Sequence, residues 1–283
     1  MLDASNVFTL LKSAEQILKS ENINEAKTDS EVLLSAVLNI KRSSLYIRGN
    51  SKVTRPQFEQ YCQYISKRVE RIPVAYIIGK TEFMGFEIAV NENVLIPRQE
   101  TEILAEQSIN IINQNNLKTA LDMCTGSGCI AVSVAAMSSV SVTACDISAE
   151  ALKTGIFNAG LNGVSDKIKF VESDLFSNIS GQKFDIIISN PPYVTEEEFK
   201  GVAKELFFEP EKAFTAGKDG LFFYNILAEK SKAYLNRGGF IAVELNANIY
   251  KEIEDVFTRQ GYVRVKIIKD YSNLNRVLVL TNG

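Results

Sequence analysis

The chain has 283 residues, 46% of them hydrophobic, which is enough for one large domain or for a large domain with a small companion. Its formal net charge of -3 and pI near 5.4 argue against a stable nucleic-acid complex, which normally requires a basic surface. The lack of histidine excludes Ser-His-Asp and Cys-His nucleophilic catalysis and the usual mixed Cys/His zinc site.

Targeting and redox signals are weak in this sequence. Met1 to Ser5 show neither the basic start nor the apolar core of a signal peptide, and no apolar run approaches the length that spans a bilayer. We therefore expect a cytoplasmic protein without a membrane partner.

No metal-ligand spacing connects the four cysteines, Cys62, Cys124, Cys129 and Cys145. We expect reduced thiols, no metal site and a monomer.

The N-terminal quarter has a helical pattern. Apolar side chains recur at helical spacing through residues 5–71. Thr28 followed by Glu31 predicts a capping box for one helix, and Thr54 before a proline predicts the start of another. We interpret residues 1–73 as a small helical bundle. Such a bundle either stabilises the chain or docks a macromolecular substrate, and the pattern alone favours neither.

The rest of the chain alternates strands and helices. Short apolar runs separated by turn residues predict a β-hairpin linker over residues 74–96, and a helix begins at Glu100 or Thr101. Predicted strands occupy residues 119–123, 141–145, 167–171, 184–189, 240–245, 263–268 and 277–280, and a predicted helix over residues 220–236 precedes the fifth of them. The predicted fold class of residues 97–283 is α/β, with a seven-stranded, mostly parallel, Rossmann-like sheet.

A glycine-containing turn follows the first strand of this sheet. Gly126 and Gly128 allow the backbone to turn tightly and to approach a ligand at a helix N-terminus. A dinucleotide fingerprint requires a third glycine, but Ala131 stands at that position, and Asp122 lies before the turn. The pattern therefore favours a nucleoside with a cationic amino-acid tail over a pyrophosphate.

Acidic residues end three successive strands. Asp122 could oppose the cationic end of such a ligand, Asp146 could accept hydrogen bonds from both ribose hydroxyls, and Asp174 with Leu175 and Phe176 could border the adenine. An Asp after a strand often only caps the next helix. Three acids at three strand ends nevertheless favour a common binding site.

The fourth strand, residues 184–189, runs into Asn190-Pro191-Pro192-Tyr193. Two prolines stiffen the loop and remove two N–H donors, so that the loop can accept hydrogen bonds from a ligand. The Asn190 side-chain oxygen and the Pro191 carbonyl suit a planar –NH2 group, over which the ring of Tyr193 could stack. The alternative is a simple strand terminator.

Together these residues resemble class I S-adenosylmethionine-dependent methyltransferases, and more closely the release factor glutamine methyltransferases of the PrmC/HemK family. The resemblance spans nearly the whole chain. It rests on Leu95-Ile96-Pro97-Arg98 with Glu100-Thr101-Glu102, Asp122 through Gly128, Asn190 to Tyr193, Phe208-Glu209-Pro210, Asp219-Gly220-Leu221 and Lys269-Asp270 to Asn275-Arg276.

The resemblance implies that the protein uses S-adenosylmethionine to methylate the side-chain amide nitrogen of the glutamine in the Gly-Gly-Gln motif of peptide chain release factors. It implies cofactor binding by Asp122, Thr125, Gly126, Gly128, Asp146, Asp174, Leu175, Phe176 and Asn190. It implies a catalytic role for Asn190, Pro191, Pro192 and Tyr193. Since the acceptor loop cannot select one glutamine among many, we assign substrate docking to residues 1–73.

Three positions depart from the family pattern. Gln99 replaces a proline that commonly follows Pro97-Arg98, Cys124 stands where glycine is frequent, and Leu245-Asn246 follows Glu244 where a glycine is often found. None of these changes removes a group assigned to chemistry. The Cys124 side chain adds bulk beside the expected position of the donor's tail.

Two alternative functions remain at this stage. The acceptor loop also suits the exocyclic amino group of a flipped nucleobase, although the acidic net charge and the N-terminal region argue against a DNA or RNA substrate. The other alternative is a non-catalytic protein that retains the fold and binds the translation apparatus. Intact Asp122, Asp146 and Asn190 argue against that alternative.

Overall fold

The structure, a computed structural model, describes residues 6–283 and contains two compact units. The first unit extends to Gly79 and includes Ala203–Phe208, and the second comprises Lys80–Val202 and Glu209–Gly283. Residues 1–5, which carry the signal-peptide interpretation and the start of the first predicted helix, lie outside the described part of the chain. None of the helices within residues 6–283 is long and apolar enough to cross a membrane.

The first unit is helical, as predicted. Its helices are α1 (Val7–Ser20), α2 (Ala26–Leu38), α3 (Ser44–Ile47), α4 (Arg55–Val69) and α5 (Val74–Ile78). Leu10, Leu33 and Tyr61 are fully buried in one hydrophobic core. The Tyr61 hydroxyl donates to the Ser30 carbonyl at 2.9 Å, so the polar end of this buried ring is satisfied. The unit therefore has its own core.

Helix starts in the first unit agree only partly with the sequence. Thr54 is the N-cap of α4, as predicted. The capping box predicted at Thr28 is wrong, because α2 already begins at Ala26. Glu31 is instead buried, and its carboxylate accepts a hydrogen bond from Arg42 at 2.6 Å. A tertiary ion pair thus replaces the predicted local cap.

The second unit begins with the strands β1 (Lys80–Phe83) and β2 (Phe86–Ala89), which form an antiparallel pair. It continues with α6 (Gln99–Asn115), β3 (Thr119–Met123), α7 (Cys129–Met137), β4 (Ser141–Asp146), α8 (Ala149–Leu161), β5 (Ile168–Glu172), β6 (Phe184–Ser189), α9 (Glu196–Lys200), α10 (Phe222–Tyr234), β7 (Leu235–Glu244), α11 (Tyr250–Arg259), β8 (Val263–Lys269) and β9 (Asn275–Thr281).

The predicted seven-stranded, mostly parallel sheet is confirmed. Its strand order is β5-β4-β3-β6-β7-β9-β8. The first five strands in this order are parallel, and β9 is antiparallel to both of its neighbours, β7 and β8. The chain progresses outward from β3 to β5 and then returns to place β6 on the other side of β3. Ligands of open α/β sheets bind at such a reversal, beyond the carboxyl ends of the strands. The turn after β3 and the acceptor loop after β6 both lie at this point.

Two boundaries differ from the sequence predictions. The hairpin occupies only Lys80–Ala89 of the predicted 74–96 segment, because residues 74–78 form α5, whose Ile77 is buried in the first core. The helix predicted from Gly220 begins at Phe222. Gly220 has a φ of +71°, and a Cβ atom there would lie 2.9 Å from the Tyr193 carbonyl oxygen. This glycine therefore allows close contact with the acceptor loop rather than starting a helix.

Candidate functional site: a cavity at the carboxyl ends of the parallel strands

The turn after β3 brings backbone amides close to Asp122. Gly126 and Gly128 both have positive φ, at 54° and 77°, and Gly128 is the N-cap of α7. A Cβ atom at Gly128 would lie 3.1 Å from the Gly155 Cα atom in α8, so this position favours a residue without a side chain. The turn is thus held close to both α7 and α8.

Asp122 is buried and only half satisfied. Its Oδ2 atom accepts from the Thr125 hydroxyl at 2.5 Å and from the Ala131 N–H at 3.1 Å. Its Oδ1 atom is buried without a hydrogen-bond partner among the described residues. Burial raises the pKa of Asp122 to about 7. An unpartnered carboxylate oxygen of this kind favours a cationic ligand group.

Asp146, at the end of β4, faces the same turn. Its Oδ2 atom accepts from the Gly126 N–H at 2.9 Å, and its Oδ1 atom accepts from the Ser148 N–H at 3.0 Å. The cap of α8 is Ser148, whose hydroxyl accepts from the Ala151 N–H. Since Ser148 performs the capping, the structural role considered for Asp146 is taken by another residue.

A cavity of about 440 Å3 lies beside these residues. Its lining includes six of the residues predicted for the site, namely Gly126, Asp146, Asp174, Leu175, Asn190 and Pro192. The lining does not include the remaining predicted residues Asp122, Thr125, Gly128, Phe176, Pro191 and Tyr193. The volume lies in the range of small-molecule sites, and both predicted halves of the site border the same space.

The segment after β5 divides between the cavity and the core. Asp174 and Leu175 line the cavity, and Leu175 has a positive φ of 49°. Phe176 points into the core of the second unit instead, where its ring stacks on Tyr234 with centroids 4.6 Å apart. The adenine environment suggested by the sequence is therefore divided, because Asp174 and Leu175 line the cavity whereas Phe176 is buried in the core.

The acceptor loop follows β6 and is fixed to its surroundings by hydrogen bonds. The Asn190 Nδ2 atom donates to the Thr101 hydroxyl at 3.1 Å, which leaves Oδ1 as the acceptor end of this amide. The Tyr193 hydroxyl donates to Glu244 at 3.0 Å. Pro191 and Pro192 are buried. These contacts hold the loop in place, and Asn190, with Oδ1 as its acceptor end, lines the cavity.

Two of the motifs that carry the family resemblance meet at Glu209. This buried carboxylate accepts from the Ile96 N–H at 2.9 Å and from the Arg98 guanidinium at 2.6 Å. The chain just before Ile96 lines the cavity, and so does Pro210. The ion pair thus holds two distant segments of the second unit along one wall of the cavity.

Sequence reasoning missed several residues that line or support the site. The cavity is also lined by Ile147, Phe222 and Phe223. Ile147 is 59% exposed and directly follows Asp146 at the end of β4. Its position after a strand end could therefore have identified it as a cavity residue. The two phenylalanines lie at the start of α10, and their contribution depends on how that helix packs. No local pattern indicates such packing.

Similarity to known proteins agrees with this architecture. The PrmC N-terminal domain matches residues 9–79, and the Methyltransferase small domain matches residues 101–236. The fold is similar to a crystal structure of a methyltransferase from Pyrococcus furiosus, with a TM-score of 0.53 and 21% identity over 77% of this chain and 99% of that chain. It is also similar to a putative methyltransferase complexed with SAH, with a TM-score of 0.52 and 16% identity over 72% of this chain and 56% of that chain.

Several relatives are similar over almost their full length. The release factor glutamine methyltransferase of Clostridium acetobutylicum is 37% identical over 278 residues, which cover 96% of this chain and 97% of that protein. The similarity therefore extends over nearly all of both units. The chain therefore belongs to the release factor glutamine methyltransferase family.

Proposed function

We propose that this protein transfers a methyl group from S-adenosylmethionine to the side-chain amide nitrogen of the glutamine in the Gly-Gly-Gln motif of peptide chain release factors. The observation that carries the proposal is that Asn190, whose amide oxygen is left as an acceptor, lines the same cavity as the carboxylates of Asp146 and Asp174. An acceptor for a planar amide and a recess for a cationic nucleoside thus share one space.

The residues of the cavity suit the donor. Asp146 lines the cavity and would accept hydrogen bonds from the ribose hydroxyls. Asp122 does not itself line the cavity but precedes the turn whose Gly126 does, and its unpartnered Oδ1 atom would accept from the donor's ammonium group. Ile147 and Leu175 offer apolar surface to the adenine. When bound, S-adenosylmethionine supplies a methyl group on a sulfonium centre, which is a strong electrophile.

The acceptor loop suits the other substrate. An amide nitrogen is a poor nucleophile, because its lone pair is delocalised into the carbonyl group. Asn190 Oδ1 and the Pro191 carbonyl would accept the two amide hydrogens and hold the nitrogen in line for attack. The proton can leave for solvent after the N–C bond forms, so the chain needs no imidazole base. The composition, which lacks histidine, is compatible with this chemistry.

Selection of one glutamine in a folded protein requires further contacts, which we assign to the first unit. Phe8, Tyr46 and Ile47 are 59%, 60% and 88% exposed, and the Phe8 N–H donates to the Gly49 carbonyl next to α3. We call these three side chains the apolar patch of the bundle. Exposed apolar side chains on two segments joined in this way favour a contact surface for another protein.

Charges around the apolar patch favour a partner with an acidic surface. Lys41, Arg48 and Lys52 are exposed and flank it in sequence, and no acidic residue occurs between positions 41 and 58. Basic side chains at the rim of an interface steer a partner of opposite charge and add specificity. The patch and its rim therefore form the proposed docking surface for the release factor.

The proposed role of Asp122 predicts how affinity for S-adenosylmethionine depends on pH. Because a carboxylate is charged only above its pKa, and the pKa of Asp122 is about 7, we expect affinity for S-adenosylmethionine to weaken roughly fivefold from pH 7 to pH 6. Titration calorimetry at both pH values measures the change. Asp122→Asn is the control, with weak affinity that varies little with pH. Equal affinity of the unaltered protein at both pH values would contradict this role.

The proposed reaction itself is tested with labelled S-adenosylmethionine. We expect the purified protein to transfer label to a purified release factor, but neither to the same factor with its Gly-Gly-Gln glutamine replaced by alanine nor to DNA or RNA. Transfer to nucleic acid alone would support the nucleobase alternative. Donor binding without transfer to any of these acceptors would support the non-catalytic alternative.

A further inference from the structure

Glu244 lies at the centre of the hydrogen bonds that hold the acceptor loop. It ends β7 and is 1% exposed. Its Oε2 atom accepts from the Thr101 hydroxyl at 2.7 Å, and its Oε1 atom accepts from the Tyr193 hydroxyl at 3.0 Å. Both partners contact the loop that presents Asn190. A buried carboxylate is costly, and here one of its oxygens is bonded to the loop itself and the other to Thr101, which is bonded to the loop.

The direction of these hydrogen bonds determines how the Asn190 amide is oriented. An ionised carboxylate can only accept, so the Thr101 hydroxyl must donate its single hydrogen to Glu244. The Thr101 oxygen is then left to accept, and Asn190 must offer it the –NH2 end of its amide, as observed at 3.1 Å. The opposite end, Oδ1, is consequently the end available to a substrate.

We propose that Glu244 is a positioning residue that fixes the orientation of the Asn190 amide through Thr101. This inference rests on the proposed function, since it concerns how the loop receives the substrate amide. With Oδ1 presented, Asn190 accepts an N–H from the substrate. With the amide rotated by half a turn, its –NH2 group would face the –NH2 group of the substrate, and two donors would oppose each other.

Hydroxyl groups donate to both oxygens of Glu244, which fits an ionised carboxylate, and burial shifts the loss of this charge to a higher pH than for an exposed glutamate. Burial raises its pKa, and Glu100 adds to this shift by repulsion, whereas the hydrogen bonds from Thr101 and Tyr193 and the positive charge of Arg276 oppose it. Tyr224 packs from α10 and donates to the Glu244 backbone carbonyl at 2.8 Å. A protonated Glu244 could donate a hydrogen bond to the Thr101 hydroxyl. Thr101 could then donate to Asn190, and the orientation of the Asn190 amide would no longer be fixed.

Glu244→Gln tests the inference, because glutamine has the same shape but can donate as well as accept. We expect kcat for a release factor to fall about tenfold while affinity for S-adenosylmethionine and the thermal midpoint change little. We also expect kcat at saturating donor to fall at acidic pH in the unaltered protein but to vary less with pH in the variant. An unchanged kcat in a folded Glu244→Gln variant would overturn the inference.

Thr101 provides a second, independent test. Thr101→Val removes the hydroxyl at nearly constant volume, and Thr101→Ser keeps it, so we expect kcat to fall in the first variant and to be largely retained in the second. Equal kcat for the valine and serine variants would also overturn the inference. Failure of the proposed function can be distinguished from failure of the inference about Glu244. If the proposed function is wrong, the unaltered protein itself leaves the release factor unmethylated.

Discussion

Replacement of Asn190 by alanine is expected to reduce turnover on a release factor by about a hundredfold or more and to leave affinity for S-adenosylmethionine nearly unchanged. The side chain belongs to the acceptor loop, and its Oδ1 atom is the proposed partner of the reacting amide. Losing the groups that hold a reactant in line lowers the rate of the chemical step more than it lowers binding. Single-turnover kinetics and donor calorimetry on the same sample separate the two effects.

Asn113→Ala is a matched control for this experiment. Asn113 lies on α6, and its exposed side chain donates only a long hydrogen bond to the Met137 carbonyl at 3.4 Å. We expect that variant to retain full turnover. If Asn190→Ala also retains full turnover while folded, the acceptor loop is only a strand terminator, and the proposed catalytic geometry is wrong.

The second large effect is expected at the docking surface of the bundle. Phe8→Ser combined with Ile47→Asp places polar groups in the apolar patch, and we expect kcat/KM for a folded release factor to fall by about a hundredfold. Central apolar contacts of an interface are each worth about 2 kcal/mol, and a hundredfold change corresponds to about 2.7 kcal/mol. Both residues are exposed, so the cores remain intact and donor affinity should not change.

Ile156→Asp is the corresponding control, because Ile156 is 53% exposed on α8 of the second unit, outside the apolar patch. We expect this variant to methylate the release factor normally. Full activity of the Phe8→Ser, Ile47→Asp double variant would assign the bundle to a stabilising role, which is the alternative that its sequence left open.

Much of the second unit could be predicted from sequence because its signals are local. Buried parallel strands appear as continuous apolar runs, and polar residues directly after them lie at one edge of the sheet. These two signals predict a common site for Asp146 and Asn190, and both residues line the same cavity. Parallel strands end at the same edge, and β4 and β6 both pair with β3, so the residues that follow them lie close together.

The hydrogen-bond partners of the acceptor loop could not be predicted in the same way. Thr101 and Glu244 are 143 positions apart, and they meet because α6 packs against the sheet beside the end of β7. From the sequence, Thr101 was interpreted as a helix start and as part of the Glu100-Thr101-Glu102 motif, without a hydrogen-bonding role. When a residue supports a site from a different helix or strand, the sequence around it shows no recognisable pattern. Only the tertiary structure reveals its role.

Two local predictions failed for a related reason. Thr28 and Glu31 have the spacing of a capping box, but Glu31 is buried in an ion pair with Arg42, and the helix begins earlier. Phe176 follows two residues that line the cavity, yet its ring lies in the core against Tyr234. In both cases burial of a side chain outweighs the preference that its immediate neighbours indicate.

The most direct test of the account is peptide mass spectrometry of a release factor incubated with the purified protein and S-adenosylmethionine. We expect one added methyl group, about 14 Da, located on the glutamine side chain of the Gly-Gly-Gln motif, and about a hundredfold less of it when Asn190→Ala replaces the unaltered protein at the same early time point. An unmodified glutamine after incubation with active, donor-binding protein, or a methyl group found only at another residue, would contradict it.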